Sequence, residues 1–196
     1  MFQVRVHGRG GQGVVTTAEL LSVAAFAEGK YAQAFPTFGS ERTGAPVVGF
    51  CRIDDRPIRT HEPVVRPDAV IIQDATLLHQ VEVFDGLAAD GYLLINTSRS
   101  LGDLGLEAFV RRFERHRVIT VPATDLALRY LRRPLPGAVL LAAFAALTGR
   151  IRLASVVAAI EERFTGDVAA GNVAAAETAY EMVRSQIEEK ARAHTD

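Results

Sequence analysis

The chain is poor in the residues that hold metals or cross-link a fold. Among its 196 residues it has a single cysteine, Cys51, and no tryptophan. One cysteine excludes an internal disulfide, a cysteine-rich zinc site and an iron–sulfur cluster ligated within this chain. The five histidines have no H-x-x-x-H or H-E-x-x-H spacing, so the sequence does not favour a metal site. We expect the chain to work in a reducing cytoplasm.

The chain also has no excess of charge and no long hydrophobic run. Its 22 Lys and Arg residues nearly balance 23 Asp and Glu residues, which gives no indication of nucleic-acid binding. The longest apolar run, residues 138–148, is too short to cross a bilayer, so it predicts a buried helix and no membrane insertion. The N-terminus lacks a basic segment before an apolar stretch, so we expect no signal peptide.

What the sequence does contain is an alternation of strands and helices. Apolar and polar residues alternate over residues 2–7, which is the period of a strand, and residues 14–28 read as a helix. Further apolar strands are predicted at 68–74, 91–98 and 117–124, with helices at 76–89 and 104–115 between them. This order predicts one Rossmann-like three-layer α/β domain over residues 1–196, with a mainly parallel sheet that is mixed at one edge.

Two further regions complete the predicted fold. Residues 46–53 and 56–60, joined by Asp54 and Asp55, are predicted to form a β-hairpin. The last third is predicted to be helical, with helices at 124–132, 138–148, 153–164 and 172–192. The last helix carries an apolar stripe that includes Ala176, Ala179 and Val183, and we expect this stripe to pack on the same domain.

A glycine cluster follows the first strand. Gly8, Gly10 and Gly13 satisfy the dinucleotide spacing G-x-G-x-x-G. Such a turn before a helix can hold an anion, or it can simply let helix and strand pack closely, and both interpretations stay open. A dinucleotide site also needs an acid that closes the second strand, about twenty residues later, yet the stretch "YAQAFPTFG" contains none and the next acid is Glu41. No Walker lysine follows Gly13 either, so neither a standard dinucleotide site nor a P-loop is favoured.

A second motif lies between Gly39 and Gly44, where Glu41 and Arg42 sit in a predicted loop. The planar guanidinium of Arg42 suits a phosphate or a carboxylate, although a solvated Glu–Arg pair is the simpler interpretation.

Together the two motifs carry a family resemblance. The stretches "GRGGQGVVTTAELL", "FPTFGSERTGAPVVGFCRI", "PDAVIIQD", "LLINTS" and "AAGNVAAAE" occur in that order. The sequence resembles the gamma subunit of the pyruvate:ferredoxin oxidoreductase family, whose members act on 2-oxoacids, and the resemblance covers nearly the whole chain. It implies an enzyme subunit, inert alone, in a complex that converts a 2-oxoacid to an acyl-CoA.

The resemblance also implies cofactors and partners. Thiamine diphosphate with Mg and the [4Fe–4S] clusters would lie on partner subunits of alpha, beta and delta type, and electrons would pass to ferredoxin or another acceptor. This chain would cover the active site and contribute to CoA binding. The predicted CoA-binding residues are Gly10, Gly11, Gln12, Gly13, Val14, Arg42 and Thr43, with Arg9 and Thr37 as weaker candidates.

Other polar residues have two interpretations each. Asn172 fits a late G-N position of the family and either lines a subunit interface or, as we expect, caps the final helix. Asp74, Asn96 and Ser98 end predicted strands, where ligands often bind, but helix caps and turns are the simpler roles. His7 can face the ligand, although an exposed or internally bonded histidine is the simpler expectation.

Two other functions compete with the subunit hypothesis. One is a free-standing CoA- or nucleotide-binding regulatory module, which would be a stable and colourless monomer. The other is an NAD-dependent dehydrogenase, and the missing acid after the second strand argues against it. The identity of the 2-oxoacid and of the electron acceptor is not readable from this chain.

Overall fold

The fold is built on a six-stranded sheet. The computed structural model describes residues 1–36 and 43–192. The strands are β1 (Phe2–Arg9), β2 (Tyr31–Pro36), β3 (Pro46–Asp54), β4 (Ala69–Ile72), β5 (Tyr92–Asn96) and β6 (Val118–Val121). Their order is β2-β3-β1-β4-β5-β6, in which β1, β4, β5 and β6 are parallel and β3 runs antiparallel to both of its neighbours. The predicted α/β class, with a mainly parallel sheet mixed at one edge, is confirmed.

Helices cover one face of this sheet. They are α1 (Val14–Phe26), α3 (Ala123–Leu131), α4 (Gly137–Thr148), α5 (Leu153–Arg163) and α6 (Gly166–Arg192), while the short helix α2 (Glu107–Val110) lies on the opposite face. The larger hydrophobic core joins that face to α1, α3, α4, α5 and α6. The predicted buried helix is α4, whose residues are almost all inaccessible to solvent. Within the described ranges, no helix is long and apolar enough to cross a membrane.

The opposite face is covered by irregular segments with a second, smaller core. The prediction of a helix over 76–89 is wrong, since only a 3₁₀ turn at Ala75–His79 forms there. The guanidinium of Arg5 accounts for this, because it donates to the carbonyl oxygens of Val83 and Asp85 that a helix would use. The helix predicted over 104–115 is also wrong and shrinks to α2, because Gly105 adopts a φ of 70° just before it.

The predicted hairpin over 46–60 is wrong as well. Strand β3 pairs with β2 through Tyr31↔Asp54 and with β1 through Phe2↔Ile53. Both edges of β3 are therefore occupied, and no strand forms over residues 56–60.

Helix α6 begins six residues before the predicted start at 172, at Gly166. Asn172 consequently lies inside the helix, and its Nδ2 donates to the carbonyl oxygen of Val168 at 2.8 Å. The predicted cap at Asn172 is wrong. The apolar stripe of α6 packs on the same domain, as predicted, because Ala176, Ala179 and Val183 belong to the larger core.

Arg5 and His7 of β1 form a buried pair on the face of the sheet that the irregular segments cover. Arg5 and His7 are 7% and 5% exposed, and Arg5 Nε donates to His7 Nε2 at 2.9 Å. Burial, and then the charge of Arg5, lower the pKa of His7 to about 3. His7 is thus a neutral acceptor inside the protein, the simpler of its two predicted roles.

The depressed pKa of His7 predicts acid sensitivity. The unfolded chain binds this proton near pH 6.5 and the folded chain only near pH 3, so the contribution to stability is complete above pH 6.5 and is lost as the pH falls towards 3. The loss is on the order of 4 kcal/mol. Urea unfolding of the purified chain at several pH values measures it. His7→Gln keeps an acceptor for Arg5 and should flatten the slope; an unchanged slope would contradict the assignment.

Helix α1 packs very closely on the sheet at Gly8. A Cβ atom on Gly8 would lie 2.5 Å from Val14 Cγ2 and 3.3 Å from Gln73 Cβ. Gly49 of β3 faces the same helix, with a Cβ position 3.3 Å from the carbonyl oxygen of Val14. Glycine is needed at Gly8 for close approach of the helix.

We therefore expect Gly8→Ala to destabilise the chain by about 1–3 kcal/mol through overpacking. Chemical denaturation measures this loss. The matched test is Val14→Ala, which removes the colliding methyl groups. The double variant should lose clearly less than the sum of the two single losses. Additive losses would contradict the collision.

Candidate functional site

The glycine turn between β1 and α1 presents unpaired backbone amides. Gly11 and Gly13 have φ angles of 91° and 75°, a left-handed conformation that glycine adopts without steric cost. The first intrahelical bond runs from the amide of Thr17 to the carbonyl oxygen of Gly13 at 2.9 Å. Amides 14–16 therefore lack intrahelical partners, and they form the positive end of the α1 dipole.

Two of the amides predicted to hold a ligand are already used by the fold. The amide of Gly10 donates to the carbonyl oxygen of Ala45 at 2.9 Å, and that of Gln12 donates to Arg9 at 3.0 Å. Within the described residues, no hydrogen bond uses the amides of Gly11, Gly13 or Val14. The predicted set of donors is thereby reduced to these three, together with residues 15 and 16.

The side chain of Gln12 folds back into the turn. Its Oε1 accepts from the amide of Arg9 at 2.8 Å, and its Nε2 donates to Asp74 Oδ2 at 2.8 Å. Gln73 in turn donates through Nε2 to the carbonyl oxygen of Gln12. Gln12 therefore shapes the turn from the inside.

The guanidinium of Arg9 is also committed to the fold. It donates to Asp74 Oδ2 at 3.1 Å, Gly44 O at 3.0 Å, Thr76 Oγ1 at 2.7 Å and Gln80 Oε1 at 2.9 Å. With four of its donors engaged, Arg9 is a brace of the loop, and little of its donor capacity is left for a ligand.

Asp74 receives most of these donors at the carboxyl end of β4. Burial alone would raise the pKa of its carboxyl group. The hydrogen bonds from Thr76 and Gln12 and the charge of Arg9 outweigh burial and lower that pKa. Asp74 Oδ1 also accepts from the amide of Thr76 at 2.9 Å, which caps the following 3₁₀ turn. Asp74 thus has the predicted capping role and, in addition, holds the glycine turn.

The two sequence motifs come together here. The amide of Gly44 donates to the carbonyl oxygen of Gly10 at 3.0 Å, and the amide of Gly10 donates to Ala45. Thr43 is exposed, and its Cγ2 lies 3.8 Å from the Cβ position of Gly11. Two candidates, Thr37 and Arg42, lie outside the described residues.

The remaining predicted residues have structural roles or none. Asn96 Oδ1 accepts from the amide of Thr124 at 3.1 Å, and its Nδ2 donates to Gln73 O and to Thr124 Oγ1, both at 2.8 Å. Asn96 therefore supports the start of α3. Ser98 is exposed beyond β5.

A pocket of about 500 Å³ lies beside the glycine turn, and the sequence did not reveal it. Gly13, Thr16 and Thr17 form one wall of it. The other walls include Tyr130, Arg132, Arg133, Arg163, Phe164, Asp167 and Asn172. Of the lining residues, only those in the "RRPLPG" stretch (132–137) stand out in the sequence. The others come together from distant parts of the chain. Among the described residues, no cluster of three His, Cys, Asp or Glu side chains can hold a metal ion.

The chain is similar in sequence to subunits of 2-oxoacid oxidoreductases. The family model described as "Pyruvate ferredoxin/flavodoxin oxidoreductase" matches residues 3–182. Pyruvate synthase subunit PorC of Methanothermobacter marburgensis is 45% identical over 184 residues, covering 94% of this chain and 98% of the relative. The pyruvate/ketoisovalerate oxidoreductases common subunit gamma of Pyrococcus abyssi is 44% identical, again with 94% and 98% covered.

Solved structures show the same fold. Pyruvate oxidoreductase subunit PORC of Thermotoga maritima superposes with a TM-score of 0.78 at 36% identity, covering 92% of this chain and 95% of that chain. The 2-oxoglutarate:ferredoxin oxidoreductase of Magnetococcus marinus gives a TM-score of 0.69 at 15% identity and contains the fold within 31% of a longer chain. The chain belongs to the pyruvate ferredoxin/flavodoxin oxidoreductase family, as a gamma subunit of a 2-oxoacid:ferredoxin oxidoreductase complex.

Proposed function

We propose that this subunit holds CoA by a phosphate group at the glycine turn of α1, in a complex that oxidatively decarboxylates a 2-oxoacid to an acyl-CoA. The observation that carries the proposal is the set of unpaired amides at Gly11, Gly13 and residues 14–16. An anion is stabilised there by several N–H donors and by the positive end of the helix dipole. CoA has a diphosphate and a ribose phosphate, and it needs no ribose-binding acid after β2.

In this proposal the role of the chain is to bind and orient CoA, and the reacting groups belong to the cofactors. Thiamine diphosphate supplies the decarboxylation chemistry and [4Fe–4S] clusters accept the electrons, and we place both on partner chains of alpha, beta and delta type. The one thiol here does not suit cluster ligation, because burial raises the pKa of Cys51 far above its ordinary value. Holding the phosphates of CoA restricts where its thiol can reach, which favours acyl transfer.

The predicted contribution of Arg42 and Thr43 remains part of this proposal. Thr43 adjoins Gly44, whose amide donates to the carbonyl oxygen of Gly10 in the glycine turn, and Arg42 precedes Thr43 in the sequence. A guanidinium there would add charge to backbone donors that carry only partial charges.

The relatives support pyruvate as the substrate. A cytoplasmic location is part of the same proposal, and a chain with one cysteine suits such a reducing compartment. Several relatives are named pyruvate synthase subunits, and the Pyrococcus abyssi relative is named as common to pyruvate and ketoisovalerate oxidoreductases. Branched 2-oxoacids are therefore a second substrate class, and ferredoxin is the proposed acceptor. A free-standing regulatory module lacks support, because these relatives are named as subunits.

The glycine turn is tested by a pair of matched glycines. Gly13 and Gly149 both have positive φ, and no atom lies within 4 Å of either Cβ position. Gly13→Ala and Gly149→Ala should therefore carry similar backbone strain. We expect only Gly13→Ala to weaken CoA binding by the whole complex, by roughly tenfold, because it distorts the amide donors. Isothermal titration measures this, and equal CoA affinities in the two variants would refute the cradle.

Arg42 is tested separately by Arg42→Ala in the same complex. We expect CoA to bind roughly tenfold more weakly as one charge-assisted contact is lost. A stronger dependence on ionic strength in the wild type than in the variant would support a direct electrostatic role. CoA affinity and salt dependence that both match the wild type would remove Arg42 from the site.

A further inference from the structure

A second groove lies at the β6 edge of the sheet, three strands away from β1. Its volume is about 910 Å³, and it shares no lining residue with the pocket beside the glycine turn. Two stretches of the chain form it, namely residues 101–118, which end in the first residue of β6, and residues 190–191 of α6. The CoA proposal does not use this groove.

The wall of the groove is mostly apolar. Phe113 and Val118 are buried in the smaller core, and Leu101 and Val110 pack against that core while they stay partly exposed. All four side chains line the groove. An occupant that brings apolar side chains would therefore remove apolar surface from water on both sides of the contact.

One cation lies in this apolar wall without a counter-charge. Lys190 is half-buried, and its Nζ donates to the carbonyl oxygen of Val118 at 2.7 Å. Among the described residues, no carboxylate forms an ion pair with Lys190. Burial consequently lowers the pKa of its ammonium group. That bond uses one of the three ammonium donors, so two are available to an acceptor that enters the groove.

The outer edge of β6 is not open to a further strand. Lys190 takes the carbonyl oxygen of Val118, and Gln186 Nε2 donates to that of Thr120 at 3.2 Å. A strand added to this edge would need these two carbonyl groups as acceptors. The groove therefore suits a segment that contacts it through side chains.

The rim of the groove is positively charged. Arg111 and Arg115 are exposed there and have no carboxylate partner among the described residues. Glu114, the one carboxylate in the described lining, is already paired with Arg117 at 3.1 Å. Exposed arginines add little affinity one by one, but a group of them around an apolar groove attracts an acidic partner and repels a basic one.

We propose that this groove docks another subunit of the complex, through a segment that carries apolar side chains and a carboxylate. The carboxylate accepts from Lys190 Nζ, and the apolar side chains cover Phe113 and Val110. Further acidic residues of the same partner lie near Arg111 and Arg115. The proposal depends on the chain being a subunit of a complex, and it is independent of where CoA binds.

Cross-linking of the assembled complex tests the contact at Lys190. A water-soluble carbodiimide joins a lysine to a carboxylate that it touches, and Lys30 and Lys190 are the two lysines of this chain. Lys30 Nζ lies 2.9 Å from Asp55 Oδ1, so the Lys30–Asp55 link is an internal positive control. We expect mass spectrometry to find Lys190 joined to an aspartate or glutamate of another subunit. If Lys190 is joined to its own chain, or stays unmodified while Lys30 reacts, the proposal is overturned.

Two variants test the contribution of charge to assembly. The separately purified chain is titrated into the remaining subunits, and we expect Lys190→Met and Arg111→Glu each to weaken association by roughly tenfold. For Arg111→Glu the loss should shrink as the salt concentration rises. Arg56→Glu makes the same change at an exposed arginine after β3 and should have no such effect.

The melting temperature of the isolated chain separates lost binding from lost folding. Lys190→Met keeps a long apolar side chain and removes a half-buried charge that has no counter-charge, so we expect it to keep or raise the melting temperature. Weaker association with an intact fold supports the docking surface. Wild-type association in both variants, or an equal loss in Arg56→Glu, would refute it.

Discussion

The carboxylate of Asp74 is the constraint on which the conformation of the glycine turn depends. Its two oxygens accept hydrogen bonds from Arg9, Gln12 and Thr76. Through Arg9 the same carboxylate reaches Gly44, and so it connects the turn, the end of β4 and the segment after β2. Without it, the guanidinium of Arg9 would lie half-buried beside a glycine-rich loop with no counter-charge. The free amides of α1 are held in place by this arrangement.

As a result, some amides of the glycine turn are hydrogen-bonded within the fold and others stay unbonded. The N–H groups of Gly10 and Gln12 donate to the carbonyl oxygens of Ala45 and Arg9, and these two bonds fix the path of the turn. Gly11 and Gly13 adopt left-handed angles, and their amides and that of Val14 have no hydrogen-bond partner among the described residues. A turn in which every amide was free would be too mobile to preorganise a site, and a turn with every amide bonded would have nothing to offer.

Local patterns predicted the parts of the fold that local patterns control. The strand, glycine turn and helix at residues 2–26 and the buried helix α4 have their expected limits within two residues. The helix predicted over 76–89 does not form, because Arg5, far away in sequence, donates hydrogen bonds to the carbonyl oxygens of Val83 and Asp85. The glycine turn was recognised from its spacing, but which amides stay free depends on pairing with Ala45. The pocket beside the glycine turn was not predicted because its walls come from separate helices.

Backbone amides and arginine side chains differ in what they can contribute to one ligand. Amides at a helix start are held rigidly by the backbone, so they suit a group that must be positioned, such as a diphosphate. An arginine carries a full charge on a flexible stem, so it adds attraction for an anionic group more than it fixes the position of that group. The phosphate groups of CoA take no part in the reaction itself. Under the proposed function this chain raises the rate of the complex because remote binding energy restricts the thiol to productive positions.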